Sequence, residues 1–190
     1  MKSITPKSSP HRITRAKAGL VVVDIQEQLR PVIFEMSRVV QNALRLINGA
    51  VILRLPLFAT EQYRKGLGAT VPEIAAAIPD FAPMKKNTFS CCAAPGFVEA
   101  LRVKGVHDVI LCGIETHVCV CQTCLGLLDA GFRPFVVADA ISSRTAENHC
   151  LGVERMRAAG AVIVSTEMVL FELLERAGTD EFKRMLPLLK

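Results

Sequence analysis

The chain has 190 residues, 51% of them hydrophobic and 22% charged, with no Trp and a formal charge of +5. That length fits one domain with a full core, and the composition excludes a disordered chain. The charge does not argue for nucleic acid, because Lys2, Lys7, Arg12, Arg15 and Lys17 lie in an N-terminal stretch without an acid and the rest of the chain is balanced.

Taken in chain order, "AGLVVVD", ending at Asp24, reads as a strand buried on both faces of a parallel sheet. Helical spacing of Val32, Ile33, Met36, Val39, Val40, Leu44 and Ile47 predicts a helix over about 31–48. "AVILRLPLF" reads as the second strand, and "TEQYRKGLG" as a polar loop after it. A short helix near 71–78, with Pro72 just inside it, precedes the short strand of "MKKNTFS". "PGFVEALRVKG" reads as a helix closed by Gly105, and "HDVILCG" as a fourth strand. A helix over about 116–130, the strand "FRPFVVAD", a helix over about 146–159 and the strand "AVIVST" follow. "EMVLFELLERAG" and "DEFKRMLPLLK" complete the chain as two helices.

This alternation predicts right-handed βαβ units, hence an α/β, Rossmann-like, doubly wound and mostly parallel six-stranded sheet with helices on both faces. A basic solvated arm over 1–17 and one domain over 18–190 are expected. No apolar run approaches the roughly 18 residues of a membrane span, and the N-terminus lacks the apolar stretch of a secretory signal. Seven cysteines, an odd count scattered through apolar segments, suit free thiols in a reducing compartment. A cytoplasmic protein with no membrane and no nucleic-acid partner is therefore expected.

In open α/β sheets the ligand site lies beyond the carboxyl ends of the strands. Three chemically useful groups fall there: Asp24, Lys86 and Cys119. Taken singly, Asp24 could cap a helix, Lys86 could be a solvated charge and Cys119 a small buried hydrophobe. A thiol in the first turn of a helix faces unpaired N–H groups and the positive end of the dipole, which would lower its pKa. The C-x-C-x-x-C pattern of "CVCQTC" is a poor zinc site, since residues 119 and 121 of a helix point roughly 200° apart. "GIETHV" lacks the glycines of a dinucleotide or Walker loop.

The motifs "VVVDIQEQL", "TEQYRKGLGATVPE", "KNTFS", "GIETHVCVCQT", "VVADAISSR" and "STEMVLFELL" together resemble the isochorismatase-like cysteine hydrolases, nearest the isochorismatase-domain-containing branch of unassigned substrate. The resemblance implies a catalytic triad of Asp24, Lys86 and Cys119, with an oxyanion held by the backbone N–H groups of Glu115 and Cys119. It also implies a cis peptide between Ile114 and Glu115, and a homo-oligomer. The expected chemistry is hydrolysis of an amide or other C–N bond of a small molecule through a Cys thioester. The alternative within the family is vinyl-ether cleavage with Asp24 as acid. The nicotinamidase branch carries histidines after the second strand to bind a metal; "LPLFATEQYRKGLG" has none, so neither a metal nor another cofactor is expected. Gln26, Gln62 and His117 are candidate pocket residues, each with a plain hydrogen-bonding role as the competing reading. Asp139, Ser142, Ser143 and Arg144 read as a structural turn, and Cys91 and Cys92 as packing residues. An idle scaffold and a thiol redox sensor are the rival functions; the second needs a resolving cysteine, for which Cys121 is poorly placed.

Overall fold

In the computed structural model, which describes residue 9 and residues 11–189, strand β1 (Ala18–Val23) is central and wholly buried. It is followed by α1 (Met36–Leu53), β2 (Leu57–Gln62), the short α2 (Arg64–Leu67), α3 (Pro72–Ala77) and β3 (Met84–Lys86). Then come α4 (Phe97–Val103), β4 (Asp108–Ile114), α5 (Cys121–Asp129), β5 (Arg133–Ser142), α6 (Ala146–Ala158), β6 (Val162–Val164), α7 (Thr166–Leu174) and α8 (Asp180–Leu189). The strands form one all-parallel sheet in the order β3-β2-β1-β4-β5-β6, as expected from the alternation. Strand order therefore reverses between β1 and β4, where a crevice opens at the carboxyl ends.

The two faces of β1 feed two cores. Leu20 and Val22 pack with α1, α7 and α8, whereas Val21 and Val23 pack with α4 and α5. Alternation along a strand makes this division, and coverage on both faces explains why β1 and β4 are continuous apolar runs. Val39, Ala43, Leu46, Ile47 and Ala50 give α1 its buried stripe. Thr145 and Ser165 cap α6 and α7, each accepting from a backbone N–H three residues on.

Several boundaries differ from expectation, among them the end of β5, which runs to Ser142. "AVIL" (50–53) is the last turn of α1 rather than the start of a strand, and α1 begins at Met36 rather than near 31. A short apolar run is equally satisfied by a helix buried on a sheet, which is what Ala50 and Leu53 do. Arg54, left-handed at φ 56°, ends the helix with its N–H on the Ala50 and Val51 carbonyls. β2 then continues through "TEQ", placed in the loop by its polarity.

Within the basic arm, residues 13–15 touch the domain, while residues 9, 11, 12, 16 and 17 are exposed. The Ile13 N–H donates to Glu172 at 3.0 Å and the Thr14 N–H to Asp108 at 2.7 Å, while Arg15 pairs with Glu181 at 2.6 Å. Asp108 is fully buried where β4 begins, and Thr14 and Arg133 supply the donors that its charge requires. Lys2 and Lys7 lie outside the described residues. Among the described residues no helix is long and apolar enough to cross a membrane.

Candidate active site

Asp24 directly follows β1 and takes a left-handed conformation, φ 49°, which ends the strand and turns the side chain toward β2. One carboxylate oxygen accepts from the Thr60 hydroxyl at 2.7 Å, and the other from Lys86 Nζ at 2.6 Å. Thr60 is available because β1 and β2 pair with Val23 opposite Thr60. Lys86 is the last residue of β3, one strand farther out, and its ammonium also donates to Gln62 Oε1 at 2.8 Å and to the Thr88 and Phe89 carbonyls at 3.2 and 3.1 Å. Its charge is removed from water but surrounded by oxygens, the condition under which a buried ion pair is tolerated.

β4 arrives next to β1 and carries the third group. After Ile114 the peptide to Glu115 is cis, and Thr116–Val120 form a wide π-type turn in which the Val118 and Val120 N–H groups both donate to the Glu115 carbonyl. Cys119 sits in this turn, nearly buried. Two glycines set the packing: Gly113 has φ 116°, and a Cβ there would lie 2.0 Å from the Val23 carbonyl oxygen. Gly152 of α6 abuts the turn, where an added Cβ would come within 2.9 Å of the Thr116 side chain and 3.0 Å of the His117 Cα.

The Cys119 thiol is pushed well above its ordinary pKa, first by burial and then by the Asp24 carboxylate, with Lys86 working in the opposite direction. Asp24 and Cys119 line the same cavity, so the carboxylate charge faces the thiol. This corrects the expectation of a lowered pKa. Regular α5 begins only at Cys121, so the thiol precedes the helix rather than occupying its first turn, and the Asp24 charge acts on it more strongly than that of Lys86. The arrangement favours a protonated thiol beside a carboxylate over a standing thiolate.

A cavity of about 380 Å³ opens over these groups. Asp24, Gln62, Glu115, Cys119 and Arg144 line it together with six apolar residues. The structure thus brings Asp24, Lys86 and Cys119 together and places Gln62 and Glu115 at the wall. It does not place Gln26 there. Gln26 is fully buried, and its amide exchanges hydrogen bonds with the Gln62 backbone at 2.7 and 3.0 Å and donates to the Gly68 carbonyl at 2.7 Å. His117 also points elsewhere, with Nδ1 2.9 Å from the Ser143 hydroxyl.

Sequence reasoning missed two participants. Arg144 lines the cavity and meets Glu115 Oε2 through its backbone N–H at 2.9 Å and its Nε at 3.1 Å. Thr60 braces Asp24, a role visible only once the strand register is known. Cys91 lies behind Thr60, its Sγ 3.7 Å from the hydroxyl, and burial pushes its thiol up to about 11. Among the described residues no group of three or more His, Cys, Asp or Glu side chains is placed to hold a metal ion.

A family model described as the isochorismatase domain matches residues 18–168. The chain is 40% identical over 184 residues to the secreted isochorismatase effector Isc1 of Phytophthora sojae, covering 94% of this chain and 87% of that protein. It is 38% identical over 178 residues to isochorismatase domain-containing protein 2 of Danio rerio, with 94% and 89% covered. Of solved structures, the MAR1 ribonuclease of Caenorhabditis elegans superimposes with a TM-score of 0.88 at 37% identity, covering 94% of this chain and 92% of that one. The YcaC gene product of Escherichia coli, an octameric hydrolase of unknown specificity, does so with a TM-score of 0.86 at 27% identity, covering 96% and 93%.

Proposed function

Since the match over residues 18–168 shows that the chain belongs to the isochorismatase family, we propose that it is a cysteine hydrolase that cleaves an amide or other C–N bond of a small molecule. The observation that carries this reading is the convergence of three groups: Asp24 is bonded to Lys86 at 2.6 Å, and Asp24 and Cys119 line one cavity.

A thiol whose pKa is raised needs a base at the moment of attack. Asp24 takes the Cys119 proton as sulfur bonds to the substrate carbonyl carbon, and the carbonyl electron pair moves to oxygen. The backbone N–H groups of Glu115 and Cys119 receive that oxyanion. When the tetrahedral species collapses, the C–N bond breaks and Asp24 returns the proton to the departing nitrogen. Water, deprotonated by the same carboxylate, then hydrolyses the thioester and restores the thiol. Lys86 keeps Asp24 oriented throughout, and Thr60 holds its other oxygen.

The wall of the cavity supports a small-molecule substrate. A polynucleotide would require several cations to meet its phosphates, whereas the one cation lining the cavity is Arg144, already paired with Glu115. The octameric state of the Escherichia coli relative supports a homo-oligomer here.

Acid quench of the protein with a panel of small amides, followed by mass spectrometry, tests the reading. An acyl adduct on Cys119, absent in Cys119→Ala, is the expected result. Undiminished turnover by Cys119→Ala, without an adduct, would overturn the thioester route in favour of vinyl-ether cleavage with Asp24 as acid. Absence of both adduct and turnover would favour an idle scaffold.

A further inference from the structure

The polar side chains of the cavity wall are bonded to the protein itself. Gln62 Oε1 accepts from Lys86 at 2.8 Å, and its Nε2 donates to the Asn87 carbonyl at 3.0 Å. The oxygens of Asp24 are taken by Thr60 and Lys86. Arg144 holds Glu115, so this cation and this anion balance each other at the wall, and the Arg144 side chain is 58% exposed. The rest of the wall is carbon: Leu29, Val32, Leu67, Phe89, Ile114 and Val118.

Two consequences follow for a ligand. Polar handles are offered only at the reacting end, where Asp24 and Cys119 meet the scissile group. Away from the exposed Arg144 guanidinium, of which Nε is bonded to Glu115, a polar or charged substituent would give up water without gaining a partner, while each carbon laid against the wall is rewarded. The volume of about 380 Å³ lies near the small end of ligand cavities, which run from roughly 300 to 1,000 Å³.

We propose that the substrate is a small uncharged amide with a carbon-rich body, polar at the scissile group and apolar beyond it. This rests on the hydrolase reading above and adds to it the class of molecule that the cavity selects. It separates this chain from chemistry on compact polar or multiply anionic molecules, for which the wall provides no unengaged set of partners.

The test uses the full chain as Cys119→Ala, so that binding is read without turnover, with affinities measured by ligand-observed NMR for propanamide, pentanamide and heptanamide. Affinity is expected to rise about threefold to fourfold per added methylene, the increment for a buried CH₂. Pimelic acid monoamide, which adds a terminal carboxylate to the same chain, is expected to bind at least about tenfold more weakly than heptanamide. Affinity that is flat with chain length would overturn the proposal. So would tighter binding of the carboxylate that is lost in the Cys119→Ala/Arg144→Gln double variant, because Arg144 would then be an anion site. Hydrolysis of heptanamide by the wild-type protein completes the support. Binding of heptanamide without hydrolysis would overturn the hydrolase reading, and the assignment of a substrate with it, while leaving the measured preference of the cavity intact.

Discussion

Lys86 Nζ and Asp24 Oδ2 lie 2.6 Å apart with both side chains essentially out of water, so neither charge can be removed without stranding the other. Lys86→Met should therefore destabilise the protein by about 3–5 kcal/mol, the cost of an unpaired buried charge. Asp24→Asn/Lys86→Met should recover part of that loss, because no lone charge remains. Urea denaturation of the two variants checks the order; equal stability of the single and double variants would refute the coupling.

The position of the Cys119 thiol gives an opposing pair of effects. Burial and the Asp24 charge raise it, so Asp24→Asn, with Lys86 intact, should move its titration to lower pH by about 1–3 pH units. Thiolate absorbance, with Cys119→Ser subtracted, reads the shift. Hydrolysis should nevertheless fall by about 10²–10⁴, because the base that relays the proton is gone. A variant with more thiolate and undiminished turnover would show that Asp24 does not act as the base.

Glu61 is a second buried carboxylate, one residue after Thr60. Burial would raise its pKa, but the Thr70 N–H, Arg64 and the Thr70 hydroxyl together hold it below the usual value. A depressed folded pKa means that its stabilisation is complete above the unfolded value of about 4.3 and is lost as pH falls through the folded one. Glu61→Gln should thus cost about 1.5–3 kcal/mol at neutral pH, and its deficit should shrink toward zero in acid. Urea midpoints of both proteins between neutral and acidic pH provide the check; a deficit independent of pH would contradict it.

Gly113→Ala should be far more damaging than Gly131→Ala. Both glycines have positive φ, 116° and 83°, but only at Gly113 does an added Cβ strike backbone, at 2.0 Å from the Val23 oxygen; at Gly131 nothing lies within 4 Å. Gly131→Ala should cost about 1–2 kcal/mol from backbone conformation alone. Gly113→Ala must push β4 away from β1, and loss of soluble protein or a much larger drop in thermal midpoint is expected. Similar midpoints for the two variants would rule out the steric account.

The topology and the strand-end residues were legible because burial on both faces writes β1 and β4 as unbroken apolar runs that stop at functional positions. Burial accounts for most of the other cysteines: Cys91, Cys121 and Cys124 lie in the second core and Cys112 in the first, and burial holds the Cys124 thiol at about 12, whereas Cys150 is exposed. What escaped depends on pairing between distant segments. "AVIL" satisfies a helix and a strand equally, so only its packing on the sheet decides. Thr60 becomes a brace for Asp24 through strand register, and Arg144 reaches the cavity through a bond to Glu115 that spans 29 positions of sequence. The thiol pKa runs opposite to expectation because burial and the Asp24 charge raise it, neither of which the local sequence displays.

Gln26 touches no part of the cavity, yet it acts as an extra rung of the β1–β2 ladder. β1 ends at Val23, and three residues later the Gln26 side-chain amide pairs with the Gln62 backbone as a neighbouring strand would. The sheet is thereby stitched shut beyond Asp24, and the carboxylate projects from a span fastened at both ends. The same stitch holds the backbone of Gln62, whose side chain receives Lys86, so base and lysine ride on one rigid frame. The position of the Asp24 carboxylate is thus set by a glutamine that lies outside the cavity lining.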